Sequence, residues 1–502
     1  RAVESFRAMG AKSELWQALR FLSWARTHLG HPDPAIDTEA DALLHDMSAS
    51  LEGVERGIFL LNKWTADEEG LLREVDEITR LKATTAASAW YARPFLAWRL
   101  AHAIHRLMWR IDRHKALCAQ RVTRNADAPP DDAANPPSLF RRLFGTPRTV
   151  ATVAFLVLPD RTVIASACGL RLRFGVTPIT RIQLRDAVRE WHGELRKPFI
   201  DEASAPAATE GGALERLRDP SAYLSDITQL ATLAAMLPDR VATLAVVPDD
   251  VLHGIPFAAL PYRNCFLVER FTLSVRFASL PNRPSAKRPP RQRALLVGVT
   301  REMPGFPALP GVQDEIDHVQ GVLKGLAWDV NVMLDQRALK PTVLAQLPGA
   351  SLVHMACHGT FEPDRPDRSG LVLFAPAGSV ETLTLRDFAG LDLSTVEHAT
   401  LSSCWSADNF MLPGRWIVSL PETLVRAGVR SVLGSLWPVP DDTTSEFMTT
   451  FYDALPTLGA DGATRKAQLA FIRGKTSGKV DVASAPNWAG FAVYGDAGRI
   501  AW

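Results

Sequence analysis

From Ala294 to the end of the chain, β-rich and helix-forming stretches alternate at short intervals, and this alternation restricts the fold more than any other feature. RALLVGV reads as a strand, GVQDEIDHVQGVLKGL as a helix, DVNVML as a strand, KPTVLAQLP as a helix with Pro near its first position, and ASLVHMAC as a strand. SGLVLFAP, the strand VEHATLSSC, the helix SLPETLVRAG, the strand RSVLGSLW and a long helix from about Thr443 continue the series. Such apolar strands, alternating with helices, predict an α/β fold: a mainly parallel sheet covered by helices on both faces. Ligands bind at the carboxyl ends of strands in a sheet of this kind.

Upstream the pattern differs. Residues 1–123 are rich in Ala, Leu, Arg and Trp, poor in β-branched runs, and predict a small all-α N-terminal region. TADEEGLLREVDEITRLKA predicts a helix that opens at Thr65 as N-cap, with Glu68 completing a capping box. PFLAWRLAHAIHRLMWRIDRH sets Leu96, Leu100, Ala103, Leu107 and Ile111 on one face and Arg99, His102, Arg106, Arg110 and Arg113 on the other. That basic stripe suits RNA, an anionic membrane, an acidic neighbour, or simply water. AVESFRAMGAKSELWQALRFLSWA has the spacing of a tetratricopeptide-like helix pair, in a single copy. Residues 124–148, with their prolines and clustered Asp and Asn, read as a linker. Beyond them, TVATVAFLVLPDRTVIASACGLRLRFGV gives two β-rich runs split by a Pro159-Asp160 turn. Helices are expected at 181–196 and 221–237, then a strand and a short packed element in ATLAVVPDDVLHGIPFAALP. Residues 283–293 form a second, basic and Pro-rich linker.

A chain of 502 residues with 47% hydrophobic content exceeds one core and predicts several domains. With 56 Lys+Arg against 55 Asp+Glu there is no global attraction to nucleic acid, so such a partner needs a local patch. The five cysteines, Cys118, Cys168, Cys265, Cys357 and Cys404, are odd in number and form no CxxC pair. Neither a disulfide framework nor a zinc site is indicated, no metal or other cofactor is expected, and the usage suits a reducing cytoplasm. No apolar run reaches the roughly 18 residues of a membrane span. The sequence opens at Arg1 without a methionine, as a trimmed chain or the tail of a longer protein does, and a removed leader stays open.

In LVHMACHGTF, residues 352–361, a strand ends in a Gly turn at His358. Val396 to Ser403 form another apolar strand, with Cys404 at its carboxyl end, 46 residues after His358. That separation is close to the roughly 50 of caspase-type His and Cys signatures. Adjacent parallel strands bring an imidazole and a thiol together, the pair needed for thiolate attack on a carbonyl and proton delivery to the leaving amine. The backbone N–H groups of Gly359 and Cys404 are the candidate oxyanion donors. Cys357 faces the other side of its strand and reads as a buried thiol, and His354 as a core histidine. Cys168 and Cys265 read as packing residues, and Cys118 lies on an N-terminal helix without an evident partner.

ASLVHMACHGTF, LSSCWSAD, ETLVRAGVRSVLGSLWPVPDDTTSEFMTTFYDAL and APNWAGFAVYGD, in this order, strongly resemble the CHAT family. These are caspase-like cysteine peptidases of clan CD, often fused to tetratricopeptide repeats. LAVVPDDVLHGIPFAAL and FLVERFTLSVRFASLP resemble the family's first half. The resemblance spans about residues 149–502. It implies a degenerate caspase-like supporting half at 149–282, a catalytic half at 294–502, and His358 and Cys404 as the catalytic pair. The implied activity is a cysteine endopeptidase that cuts a protein target through a thioester acyl-enzyme, regulated by an activating protein or by oligomerisation, as in bacterial defence or programmed cell death. The alternatives are a non-catalytic protein-binding scaffold, or a protease activated by an RNA-guided or nucleotide-sensing defence complex. CWSADNFMLPGRW departs from the family pattern, in which a small or acidic residue often follows the Cys. Trp405 and Asp408 are accordingly the candidate substrate-pocket residues, for an apolar or small side chain beside Trp405 or a Lys/Arg held by Asp408.

Overall fold

The computed structural model describes residues 2–28, 33–49, 53–123, 139, 147–196, 220–279, 292–360, 369–403, 410–412, 416–474 and 485–496. Five helices come first: α1 (Ala2–Met9), α2 (Lys12–His28), α3 (Pro34–Ala49), α4 (Gly53–Ala87) and α5 (Arg93–Thr123). Leu15, Trp16 and Leu19 of α2 pack with Ile36 and Ala40 of α3 in a small core of their own. Thr65 lies inside α4 and does not cap its start. The segment GIFLLNKW before it is itself apolar and free of Gly or Pro after its first residue, so the helix runs through the expected boundary.

The short connection after α4 folds α4 and α5 into an antiparallel hairpin. Leu71, Val75 and Ile78 of α4, with Ile104, Leu107 and Ile111 of α5, bury against Ala154, Leu156, Val163 and Ala165. Those last four belong to β1 (Val150–Val157) and β2 (Thr162–Cys168), while Val153 and Phe155 of β1 join the main core on the opposite face. Burial on both sides is why the strand is apolar throughout. GLRLRFGV turns again at Gly169, φ 53°, and adds a third strand, β3 (Arg171–Thr177), that the two-run reading had merged with its neighbour. A turn needing only one glycine and one leucine leaves little mark in the sequence.

The remaining strands of the main sheet are β4 (Thr243–Val247), β7 (Thr272–Val275), β8 (Arg293–Gly298), β9 (Asp329–Leu334), β10 (Leu352–Ala356), β14 (His398–Ser402), β17 (Ser431–Ser435) and β18 (Phe491–Gly495). With β1–β3 they make eleven strands in the spatial order β3-β2-β1-β4-β7-β18-β17-β14-β10-β8-β9. Seven of the ten neighbouring pairs are parallel; β1/β2, β2/β3 and β17/β18 are antiparallel. Because β18 lies between β17 and β7, strands from before and after the 283–293 segment share one continuous sheet. SGLVLFAP joins a separate three-stranded sheet, β11 (Gly359–Thr360), β12 (Gly370–Phe374) and β13 (Val380–Thr384). Among the described residues, the other strands form two small hairpins: β5 (Pro261–Tyr262) with β6 (Cys265–Phe266), and β15 (Phe410–Leu412) with β16 (Trp416–Val418).

The connecting helices are α6 (Arg181–Arg196), α7 (Pro220–Ile227), α8 (Leu230–Ala235), α9 (Leu267–Arg270), α10 (Gly311–Gly325), α11 (Lys340–Gln346), α12 (Leu385–Ala389), α13 (Leu420–Ala427) and α14 (Asp441–Ile472). The single helix expected at 221–237 is two, α7 and α8, broken at Gln229 where φ is 53°. Helix α14 bends at Gly459, φ 73°, three residues after Pro456 removes a helical N–H. At the sheet centre, side chains alternate. His354, His398 and Thr400 face α10 and α14, while Val353, Met355, Ala399 and Leu401 face Leu424 of α13.

Candidate active site

Strands β10 and β14 are parallel neighbours, in a register that runs from Leu352 opposite His398 to Ala356 opposite Ser402. Every pair in that ladder is offset by 46 residues, the same number that separates His358 from Cys404. His358 stands two residues beyond the end of β10, at the carboxyl edge of the sheet, and is half-buried. Cys404 follows β14 by two residues and lies outside the described residues, as do Trp405 and Asp408.

The loop between β8 and α10 holds the imidazole. His358 Nε2 lies 2.7 Å from the Pro307 carbonyl oxygen, and the Phe306 ring packs against it with centroids 5.2 Å apart. A carbonyl only accepts, so Nε2 carries the hydrogen and Nδ1 is left to take or give a proton. Asp335 ties the start of this loop: its carboxylate accepts the Thr300 and Arg301 N–H groups at 2.8 and 3.2 Å. Met303 and Phe306 exchange N–H···O=C bonds, and Leu309 N–H donates to Thr300 C=O at 3.1 Å. At the far end, Gly311 N–H donates to the Asp441 carboxylate at 2.7 Å. Burial raises the Asp441 pKa, against the lowering effects of that amide and of nearby His358. Sequence reasoning missed Phe306, Pro307 and Asp441. TREMPGFPALPG announces a rigid Pro/Gly loop, yet which carbonyl reaches the imidazole depends on folding across 51 residues.

Val372 N–H donates to the His358 carbonyl at 2.8 Å, and Gly359 pairs with Leu371. In an antiparallel ladder this makes Gly359 a non-hydrogen-bonded position, so its own N–H points away from β12. The adjacent Cys357 is 2% exposed, and burial pushes its thiol up to about 12. Such a thiol is no nucleophile near neutrality. Cys168 is buried and Cys265 half-buried, both with raised pKa values from desolvation, and the Cys118 side chain lies outside the described residues.

Beneath the site runs a buried polar chain. Ser431 Oγ donates to the Glu397 carbonyl at 3.1 Å and so accepts from His398 Nδ1–H at 2.9 Å. His398 Nε2, then unprotonated, accepts from the Thr400 hydroxyl at 3.1 Å. Thr400 Oγ1 accepts from the Tyr452 hydroxyl at 2.9 Å, and Tyr452 Oη accepts from His354 Nδ1–H at 3.0 Å. His354 Nε2 faces Glu315 Oε1 at 3.0 Å. The core histidine expected at 354 is thus one link in a chain across β10, β14 and β17. Tyr452→Phe deletes the central hydroxyl and strips a partner from both His354 and Thr400. It is expected to lower stability by roughly 2–4 kcal/mol, read as a shift in urea midpoint at unchanged slope.

The basic stripe of α5 is not uniformly available to an anion. Arg110 lies 2.9 Å from Glu74, whereas Arg99 and Arg106 are exposed and the Arg113 side chain lies outside the described residues. Among the described residues no helix is long and apolar enough to cross a membrane, and no group of three or more His, Cys, Asp or Glu side chains is placed to hold a metal ion.

Tetratricopeptide repeat protein 28 from Mus musculus is 25% identical over an alignment 311 residues long that covers 51% of this chain and 12% of that protein. The chain therefore spans only a small part of that relative's length. Among solved structures, the Saccharomyces cerevisiae separase–securin complex at 2.6 Å aligns over 96% of this chain and 44% of that one, at 10% identity and a TM-score of 0.43. The complex of Porphyromonas gingivalis RgpB pro- and mature domains aligns over 54% and 70%, at 12% identity and a TM-score of 0.39. Residues 219–496 match the CHAT domain, more than half of the sequence and all of the elements from α7 to β18, and the chain belongs to the CHAT domain family.

Proposed function

We propose that the chain is a cysteine endopeptidase in which Cys404 is the nucleophile and His358 the general base and acid. The observation that carries this reading is the common 46-residue offset of the β10/β14 ladder and of the His358/Cys404 pair. His358 Nδ1 takes the thiol proton as Sγ attacks the scissile carbonyl carbon. The Gly359 and Cys404 amides hold the oxyanion. Collapse expels the amine, which leaves with the proton from His358, and a thioester remains. Water, deprotonated by the same imidazole, then hydrolyses it and frees the thiol. Pro307 keeps Nε2 hydrogen-bonded throughout, so the ring stays oriented while Nδ1 cycles. Trp405 and Asp408 belong to the pocket that receives the residue before the cut.

Labelling with a thiol-reactive peptidyl ketone tests this directly. Mass spectrometry is expected to find the adduct on Cys404, and Cys357→Ala to leave labelling unchanged. An adduct confined to Cys357, or retained in full by Cys404→Ala, overturns the assignment.

Control by a protein partner or by oligomerisation is part of the same reading. The backbone of α5 runs beside β16, whose hairpin follows Cys404 in sequence, so the helical region contacts an element that lies a few residues after the proposed nucleophile in the chain. Asp112 of α5 also accepts the Ser279 N–H at 2.7 Å. Purified chain at low concentration is expected to turn over peptide slowly, and a partner that shifts α5 to raise the rate. High turnover that is independent of concentration and partner counts against this control.

A further inference from the structure

We propose that the tip of the α4/α5 hairpin docks on a membrane surface that carries anionic lipid headgroups. From Thr79 to Leu100, across the end of α4 and the start of α5, no residue is buried. The hairpin therefore continues as a protrusion beyond its own core, whose nearest buried members are Ile78 and Ala103. Trp90 and Tyr91 form the extreme end. They are the two central residues of a turn closed by Ala92 N–H, which donates to the Ala89 carbonyl at 3.0 Å. Arg93 braces that turn, its Nε–H donating to the Ser88 carbonyl at 3.0 Å just after the end of α4. Trp90, Tyr91, Phe95 and Trp98 are 81, 74, 64 and 46% exposed. Single exposed apolar side chains are ordinary on a protein surface, but four aromatics in nine residues are not.

Trp and Tyr collect at the level of lipid headgroups, where an apolar ring and a polar tip are both satisfied. The charges are set back from them by a matching distance. Arg80 lies seven residues before the end of α4 and Arg99 six after the start of α5, roughly 10 Å behind the turn at 1.5 Å per residue. Both are exposed. Apolar groups of a surface-bound segment sink about 5–10 Å into the headgroup boundary, which brings both guanidinium groups to the lipid phosphates. No Asp or Glu falls between Glu77 and Asp112, so nothing on this end of the hairpin repels an anionic surface.

The β2–β3 turn repeats the same chemistry at the same end. Asp76 of α4 pairs with Arg161, just before β2, and Lys82 Nζ donates to the Phe174 carbonyl in β3, so α4 runs along β2 toward Gly169. There Leu170 is 62% exposed, with exposed Arg171 next to it and exposed Arg148 against Gly169. Shape favours a bilayer over a macromolecular partner. A protein interface takes roughly 800 Å² per side, whereas four rings of about 150–250 Å² each, at these exposures, offer on the order of 500 Å² on a convex end. A single-stranded nucleic acid stacks on aromatics that line a groove tracking its backbone, and a convex end has no groove. A bilayer needs neither, because each ring enters it separately.

Vesicle flotation of the full chain tests this, and because it reads binding rather than cleavage its result is independent of the peptidase reading. The probes are vesicles containing phosphatidylserine, vesicles of phosphatidylcholine alone, and fluorescein-labelled poly-uridine and poly-glutamate, which stand in for a nucleic acid and an acidic protein. The chain is expected to bind the phosphatidylserine vesicles at least about tenfold more strongly than the neutral ones, and less strongly as salt rises. Replacing both Trp90→Ala and Tyr91→Ala should cost about tenfold or more, and so should the pair Arg80→Glu and Arg99→Glu. All four side chains are exposed, so circular dichroism and the unfolding midpoint should not change. No flotation, equal binding to neutral vesicles, indifference to either double substitution, or aromatic-dependent binding of poly-uridine or poly-glutamate in place of vesicles overturns the proposal.

Discussion

His358→Ala and Cys404→Ala are each expected to lower peptide cleavage by at least about a thousandfold while leaving the fold in place. The two losses should not multiply in the double variant, because nucleophile and base act as one unit. His358 is half-buried at a strand end, so its removal opens no large core cavity, and the unfolding midpoint should move little. Cys357→Ala is the control. Its thiol faces the core, is held protonated by burial, and should be dispensable for turnover. Matched kcat measurements on the four variants decide the matter: retained cleavage in Cys404→Ala, or its loss in Cys357→Ala, assigns the chemistry elsewhere.

Much of this arrangement was legible in the sequence, for a physical reason. Strands buried on both faces must be apolar along their length, so β8, β10, β14 and β17 stand out between helices. A polar residue just beyond such a run, such as His358, stands out against it. The buried thiol at 357 followed from strand alternation alone. What stayed hidden depends on contacts between distant parts of the chain. Insertion of β18 between β17 and β7 merges segments that a Pro-rich stretch separates in sequence. No local pattern marks that. The Pro307 carbonyl is a main-chain group, identical in composition to every other, and only the path of the loop gives it a role. Thr65 shows the opposite failure: a capping motif with good local chemistry was overridden by helix-forming residues ahead of it. His398, inside an apolar strand, carries no local signal that singles it out. Its neighbours across β17 and α14 make it part of a proton-ordered chain.

That order predicts acid sensitivity. Burial, and secondarily the charge of His354, hold the His398 pKa down to about 3 from an ordinary 6.5. Both neighbours already set its protons: Nδ1–H is given to Ser431, and Nε2 receives the Thr400 hydroxyl. A second proton on Nε2 would meet that hydroxyl head-on and force the chain to reverse. The unfolded chain has no such constraint and binds the proton below pH 6.5. Between about pH 6.5 and 3 the unfolded state therefore holds one more proton at this site, and stability falls as pH falls. At about 1.4 kcal/mol per pH unit, the loss reaches roughly 3 kcal/mol by pH 4.5. Asp461 acts in the opposite sense. Burial raises its carboxyl to about 6, so it favours the folded state as pH drops from 6 toward 3.8. Total stability thus mixes both signs, and the informative quantity is the difference between wild type and His398→Asn. Asp461 contributes equally to each and cancels. The variant starts less stable at pH 7, because an amide replaces the ring between Ser431 and Thr400. The gap between the two proteins is expected to narrow by about 3 kcal/mol from pH 7 to 4.5 in urea unfolding. Parallel pH profiles would mean that His398 is protonated in the folded protein, and that the hydrogen-bond chain beneath the site runs in the other direction.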